Sequence, residues 1–146
     1  MIKNWYGENG WSRPDKKEVI DLEKWKFGIN NNELISLVLT GKKTATTSLL
    51  DNNEKLPVIG EESIICYDNG TEACIIRTTD FKVMKFNEMT EEYAKLEGEG
   101  DLSLDYWKKV HCDFFKSIDM DFNNNSKIVF ELFELVSKGV DPNEWK

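Results

Sequence analysis

The chain has 146 residues, the usual span of one domain, and its 40% hydrophobic and 32% charged residues, with five Trp and eight Phe, exclude a disordered polypeptide. A formal net charge of −8 argues against a general nucleic-acid binder, which needs an excess of Lys and Arg on one face, while leaving room for a local basic pocket. The opening residues lack the apolar run of a signal peptide and no window nears the ~20 apolar residues of a membrane span, so a cytoplasmic protein without a membrane partner is expected.

Residues 1–24 read as an N-terminal extension that packs on the domain, with Trp5 and Trp11 set among charged residues and 16–24 suited to a short helix. Asn30 then offers an N-cap with Glu33 three positions later, Leu34, Ile35, Val38 and Leu39 recur at helical spacing, and Gly41 stands where a helix ends. The β-branched run 44–50 suits a strand. A second strand is expected over 63–67, and Asp68-Asn69-Gly70 forms a hairpin turn, because an Asn-Gly pair tolerates the positive φ such turns need. The return strand covers 73–77, with a bent continuation to Val83.

Thr90 is placed to cap a short helix through Tyr93 and Leu96, broken at Gly98-Glu99-Gly100, and Ser103 to cap a longer one. Leu104, Trp107, Val110, Phe114 and Ile118 form the apolar stripe of that longer helix, with Phe115 beside it. Ile128, Phe130 and Leu132 alternate with Val129, Glu131 and Phe133 as in a final strand. Residues 25–137 therefore make one α+β domain and 138–146 a C-terminal tail. Bent strands around a small core close most easily as a barrel. Cys66, Cys74 and Cys112 are odd in number and lack zinc-site spacing, so they read as free thiols; no cofactor or metal ligand is assigned, and the metal requirement stays open.

Three segments, 25–28 (WKFG), 37–46 (LVLTGKKTAT) and 98–104 (GEGDLSL), resemble the ASCH family, as do Ile76-Arg77-Thr78-Thr79, Tyr106-Trp107, Val110-His111 and Phe114-Phe115. The resemblance spans about residues 25–136 and belongs to a longer subgroup marked by Gly-Glu-Gly-Asp. It implies a small PUA-like β-barrel flanked by helices, with a cleft that recognises a nucleobase, nucleoside, nucleotide or RNA. Some small ASCH proteins are amidohydrolases acting on acetylated cytidine through a Lys, a Thr and a Glu, and Lys43, Thr46 and Glu97 occupy the matching positions. Others are ribonucleases, so the fold leaves open whether this chain is an enzyme. Thr47-Ser48-Leu49 stands where the amidohydrolases carry Ile and Arg, which removes a cation from the substrate side.

If amide hydrolysis occurs here, Thr46 is the nucleophile, Lys43 the base or an anion-binding group, and Glu97 orients Lys43 or moves protons to the leaving amine. Lys43 and Thr46 point to opposite faces of a regular strand and converge only if Lys43 lies in the preceding turn. Lys42 and Thr44 flank this segment as ligand-binding candidates, against the plainer reading of cations near a helix C-terminus. Arg77 suits a phosphate or a base edge, or else pairs with Asp80 or Glu97. Glu97, Glu99 and Asp101, with two interleaved glycines, offer hard oxygens for a divalent cation, with Glu99 and Asp101 otherwise ligand-binding candidates or part of a solvated acidic turn; Tyr106 and Trp107 offer a stacking surface or core packing, and His111 packing or hydrogen bonding rather than catalysis. The alternatives at this level are a nucleoside-directed hydrolase, an RNA-binding module without chemistry, and an RNA-cleaving nuclease, with the oligomeric state open.

Overall fold

Among the described residues the strand-forming stretches make one sheet and the helix-forming ones three α-helices. The computed structural model describes residues 22–51 and 55–139. The elements are β1 (Glu23–Trp25), α1 (Asn31–Leu39), β2 (Ala45–Leu49), β3 (Glu62–Cys66), β4 (Glu72–Lys85), a 3₁₀ turn (Phe86–Glu88), α2 (Glu91–Leu96), α3 (Leu104–Ile118) and β5 (Lys127–Lys138). The short helix expected over 16–24 falls largely outside the described residues; where it overlaps them, Glu23 and Lys24 belong to β1. The packing of the extension and most of the tail also lie outside them.

Both helix caps expected near the site are present: Thr90 Oγ1 accepts from the Tyr93 amide, and Ser103 Oγ from the Tyr106 amide. The start of α1 differs from expectation. Asn30 is the N-cap but sits at φ 50° and makes no side-chain cap bond. Asn31 is the buried residue that ties this corner down, accepting from the Phe27 amide at 2.7 Å and donating to Cys66 O at 2.9 Å and Asp68 Oδ1 at 3.0 Å. On α3 the buried side chains are Trp107, His111 and Phe115, at spacings of four, and Ile118 is 60% exposed. Phe115, not Ile118, closes the stripe.

The sheet order is β1-β3-β4-β5-β2, antiparallel except for the β1–β3 pair. β4 and β5 are long, 14 and 12 residues, and pair through most of their length with register shifts at Ile75/Ile76 and Thr78/Asp80. Such shifts bend a strand and increase its twist. The sheet accordingly curls into a PUA-like half-barrel, whose terminal strands β1 and β2 do not pair with each other. The expected barrel is thus open along one side. One core lies under α2 and α3, from Ala45 through Phe86, Trp107 and Phe115 to Phe130; the other lies under α1, from Phe27 and Ile35 to Ile76 and Phe133. Among the described residues no helix is long and apolar enough to cross a membrane.

Candidate active site

Lys43 follows α1 in the turn before β2, and its side chain is 1% exposed. Such a lysine must find compensating charge, because burying an unpaired ammonium costs several kcal/mol. Its Nζ donates to Glu97 Oε1 at 3.0 Å and to Glu99 Oε2 at 2.6 Å. Glu97, also 1% exposed, is the C-cap of α2. Its second oxygen accepts from Trp107 Nε1 at 2.8 Å and from Thr47 Oγ1. Every acceptor face of this carboxylate therefore meets a donor. Burial pushes the Glu97 carboxyl up, but the Lys43 ammonium, His111 and Thr47 outweigh it and hold the group well below the usual carboxylate range.

The local backbone explains how two loops meet here. Gly98 adopts φ +69°, and a Cβ on it would lie 2.2 Å from Lys42 O, so only glycine lets the α2 terminus approach the turn after α1 this closely. The Thr44 amide donates to Leu96 O at 2.8 Å and closes the same junction. Gly100 plays the equivalent part under the Tyr106 ring, against which a Cβ would stand 2.4 Å away.

His111 completes the centre from α3, stacked on Trp107 with ring centroids 4.2 Å apart. Nδ1 lies 2.9 Å from Trp107 O, and since a carbonyl only accepts, Nδ1 carries a proton. Nε2 lies 3.6 Å from Glu97 Oε1, an arrangement that favours a second proton and an imidazolium. Burial opposes that charge, yet the Glu97 carboxylate, with Glu99 and the Trp107 carbonyl, raises the His111 pKa above its usual value. Two cations and two carboxylates then balance. Glu97, Glu99 and His111 also have donor atoms within 4.8 Å of one another, as a metal site would. The Lys43 ammonium already bonds both carboxylates, so the charge a divalent ion would supply is provided by the chain itself.

A chamber of about 50 Å³ opens beside this centre, lined by Lys43, Thr46, Thr47, Glu97, Glu99, His111 and apolar side chains including Phe27 and Phe114. It adjoins a larger cleft of about 590 Å³ on the concave face between the open strands β1 and β2, and Thr46, Thr47, Phe27 and Phe114 line both. Thr46 Oγ1 makes no hydrogen bond among the described residues, so of the two threonines in the chamber wall it is the one left available to a ligand.

The remaining candidates divide. Trp107 is 3% exposed and serves Glu97 rather than a stacked base; Tyr106 is outside both cavities at 38% exposure. Lys42 is exposed, and Thr44 Oγ1 donates to Leu96 O at 3.2 Å. Asp101 accepts from the Ser103 amide, and its hydrogen bonds to Ser103 hold it below the usual range. Arg77 pairs with neither Asp80 nor Glu97: it is cross-strand to Glu62 at 2.8 Å and Glu134 at 2.6 Å, away from both cavities. The cleft also contains Glu131, Thr78, Glu23 and Glu61, none of which stood out as candidates. Glu131 carried one signal, a lone charge inside the apolar run Ile128 to Phe133.

These features define a PUA-like half-barrel whose concave face holds a buried lysine–carboxylate centre. The chain belongs to the ASCH domain family, whose model matches residues 23–137. It is similar to a crystallised protein of Enterococcus faecalis V583, with 34% identity, TM-score 0.73, and coverage of 82% of this chain and 83% of that one. It is also similar to an ASCH domain of Lactobacillus crispatus JV V101, with 27% identity, TM-score 0.75 and 88% of each chain covered. A third crystal structure, of a hypothetical protein, shares the fold at 22% identity and TM-score 0.57, covering 77% of this chain and 99% of that one. No functionally curated protein matches the chain.

Proposed function

We propose that the concave face recognises a nucleobase or nucleoside and that the Lys43 centre hydrolyses an amide on a modified base. The observation that carries the reading is the fully buried Lys43–Glu97 pair in the wall of a chamber that also exposes Thr46. An ion pair this buried is a poor device for stability, since apolar residues of equal volume serve as well or better, and its use beside a cavity points to chemistry.

In this reading Thr46 Oγ1 adds to the acyl carbon and passes its proton to Lys43, which has first handed one of its own to Glu99 across their 2.6 Å contact. Lys43 then protonates the leaving nitrogen, and the amine departs from an acyl–Thr46 ester. Water hydrolyses the ester, releasing the carboxylic acid and restoring the hydroxyl. Glu97, held by three donors, keeps Lys43 aimed into the chamber. The net charge of −8 and the carboxylates of the cleft speak against a long RNA track and for a small ligand.

The test is deacetylation of N4-acetylcytidine by the wild type and by Thr46→Val, read by chromatography. Turnover lost in the variant supports the reading; binding of the nucleoside without turnover reduces it to recognition; neither binding nor turnover overturns it.

A further inference from the structure

The larger cleft holds a carboxylate that the Lys43 centre does not use. Glu131 stands on β5 directly across from Thr46 on β2, so their side chains share the concave face. Its Oε2 accepts from Thr78 Oγ1 at 2.6 Å, and among the described residues it has no Lys, Arg or His partner. Glu23 and Glu61, in the same cleft, likewise have no cationic partner among the described residues. Lys26 and Lys55 line the cleft too, but the Lys26 ammonium donates to Asp68 O at 3.1 Å and Lys55 makes no ion pair with Glu131, Glu23 or Glu61 among the described residues. Around these acids the wall is apolar and partly aromatic, with Trp25, Phe27 and Phe114.

We propose that this cleft is a binding site for an organic cation, an amidinium, guanidinium or ammonium on a flat apolar body, with the charged group seated on Glu131 beside Thr46. A half-buried carboxylate without a counterion is unfavourable in the empty protein, and a ligand cation supplies the missing charge while its body covers the aromatic wall. Burial first, and then the nearby Glu23 and Glu61 carboxylates, raise the Glu131 pKa against the opposing Thr78 bond, which is the electrostatic signature of a site short of positive charge. The volume of about 590 Å³ falls in the range of small-molecule sites. The same field repels phosphates, so phosphorylated ligands are disfavoured. The inference goes beyond the hydrolytic reading and does not require it, because it concerns Glu131 and not Lys43.

The experiment is calorimetric titration at pH 7 with benzamidine, its neutral isostere benzamide and the anion benzoate, on the wild type and Glu131→Gln. We expect benzamidine to bind on the order of ten-fold tighter than benzamide and benzoate not at all, with the preference falling to within about three-fold in the variant. Equal affinity for the three probes, no binding of benzamidine, or a preference that survives Glu131→Gln would overturn the proposal. Amide chemical-shift changes in the wild type provide a reading independent of the variant's folding: they should centre on Thr46, Thr78 and Val129, and a centre elsewhere also overturns it. Failure here leaves the deacetylation assay untouched, and failure of that assay leaves these titrations interpretable.

Discussion

Lys43 Nζ meets Glu97 Oε1 at 3.0 Å with both side chains 1% exposed, joining the turn after α1 to the end of α2. Breaking one side of such a pair strands the other as an uncompensated buried charge. Glu97→Leu is expected to lower unfolding stability by about 3–5 kcal/mol in urea, and Lys43→Met by a similar amount. The double variant should recover more than half of the summed loss, which a double-mutant cycle measures.

Thr46 and Thr47 are neighbours with opposite duties. Thr47 Oγ1 bonds the buried Glu97 carboxylate, whereas Thr46 Oγ1 faces the cavities. Thr47→Val should cost about 1–3 kcal/mol, because it removes a donor from a buried charge. Thr46→Val should change stability by no more than about 0.5 kcal/mol while abolishing any turnover. Urea unfolding beside the deacetylation assay separates the two, and equal stability losses would contradict the assignment.

His111 is the only histidine, so one imidazole resonance reports on the centre. Its folded pKa is raised, which means protonation stabilises the fold fully below the unfolded value of about 6.5, and this contribution is lost as pH rises through the folded value. An NMR titration should give a midpoint above 6.5, falling when Glu97 is replaced by Gln. A wild-type midpoint at or below 6.5 would show that burial outweighs Glu97.

Gly98→Ala tests the approach of the two loops. The substitution strains a φ of +69° and drives a methyl against Lys42 O, backbone that cannot yield without moving Lys43. A loss of about 2–4 kcal/mol is expected, together with a lowered His111 midpoint as the centre loosens. Retention of both wild-type values would mean that the loop shifts freely.

Glu131 has a raised folded pKa, so its protonated form favours the fold; that contribution is present below the unfolded value of about 4.5 and is lost as pH rises through the folded value. At pH 7 the charge is therefore a liability, and Glu131→Gln should raise Tm by ~3 °C. The gap should close as pH falls toward about 4. Thermal unfolding at both pH values provides the check, and a variant less stable than wild type at pH 7 would show that the charge has an unseen partner.

Local chemistry made much of this protein legible in its sequence. Thr90 and Ser103 cap their helices because a hydroxyl one residue before a helix meets an orphan amide wherever the chain then goes, and Asn69-Gly70 turns because Gly70 is free to take φ +93°. The motif residues Lys43, Thr46 and Glu97 were likewise visible, and all three line one chamber. What tertiary structure alone decided is which charges meet. Arg77 reads in the sequence as a phosphate or base-edge ligand or a partner of Asp80 or Glu97, but cross-strand register delivers it to Glu62 and Glu134. His111 reads in the sequence as packing or hydrogen bonding, and the turn of α3 decides the partners, Trp107 for stacking and Glu97 for charge. Glu131 stands in the sequence simply as one member of an alternating strand, and cross-strand register sets it opposite Thr46 in the cleft. Caps and turns depend on neighbours a few residues apart, whereas these ion pairs and cavities join different elements, from Arg77–Glu62 at 15 positions to Arg77–Glu134 at 57, where only the folded chain sets the distance.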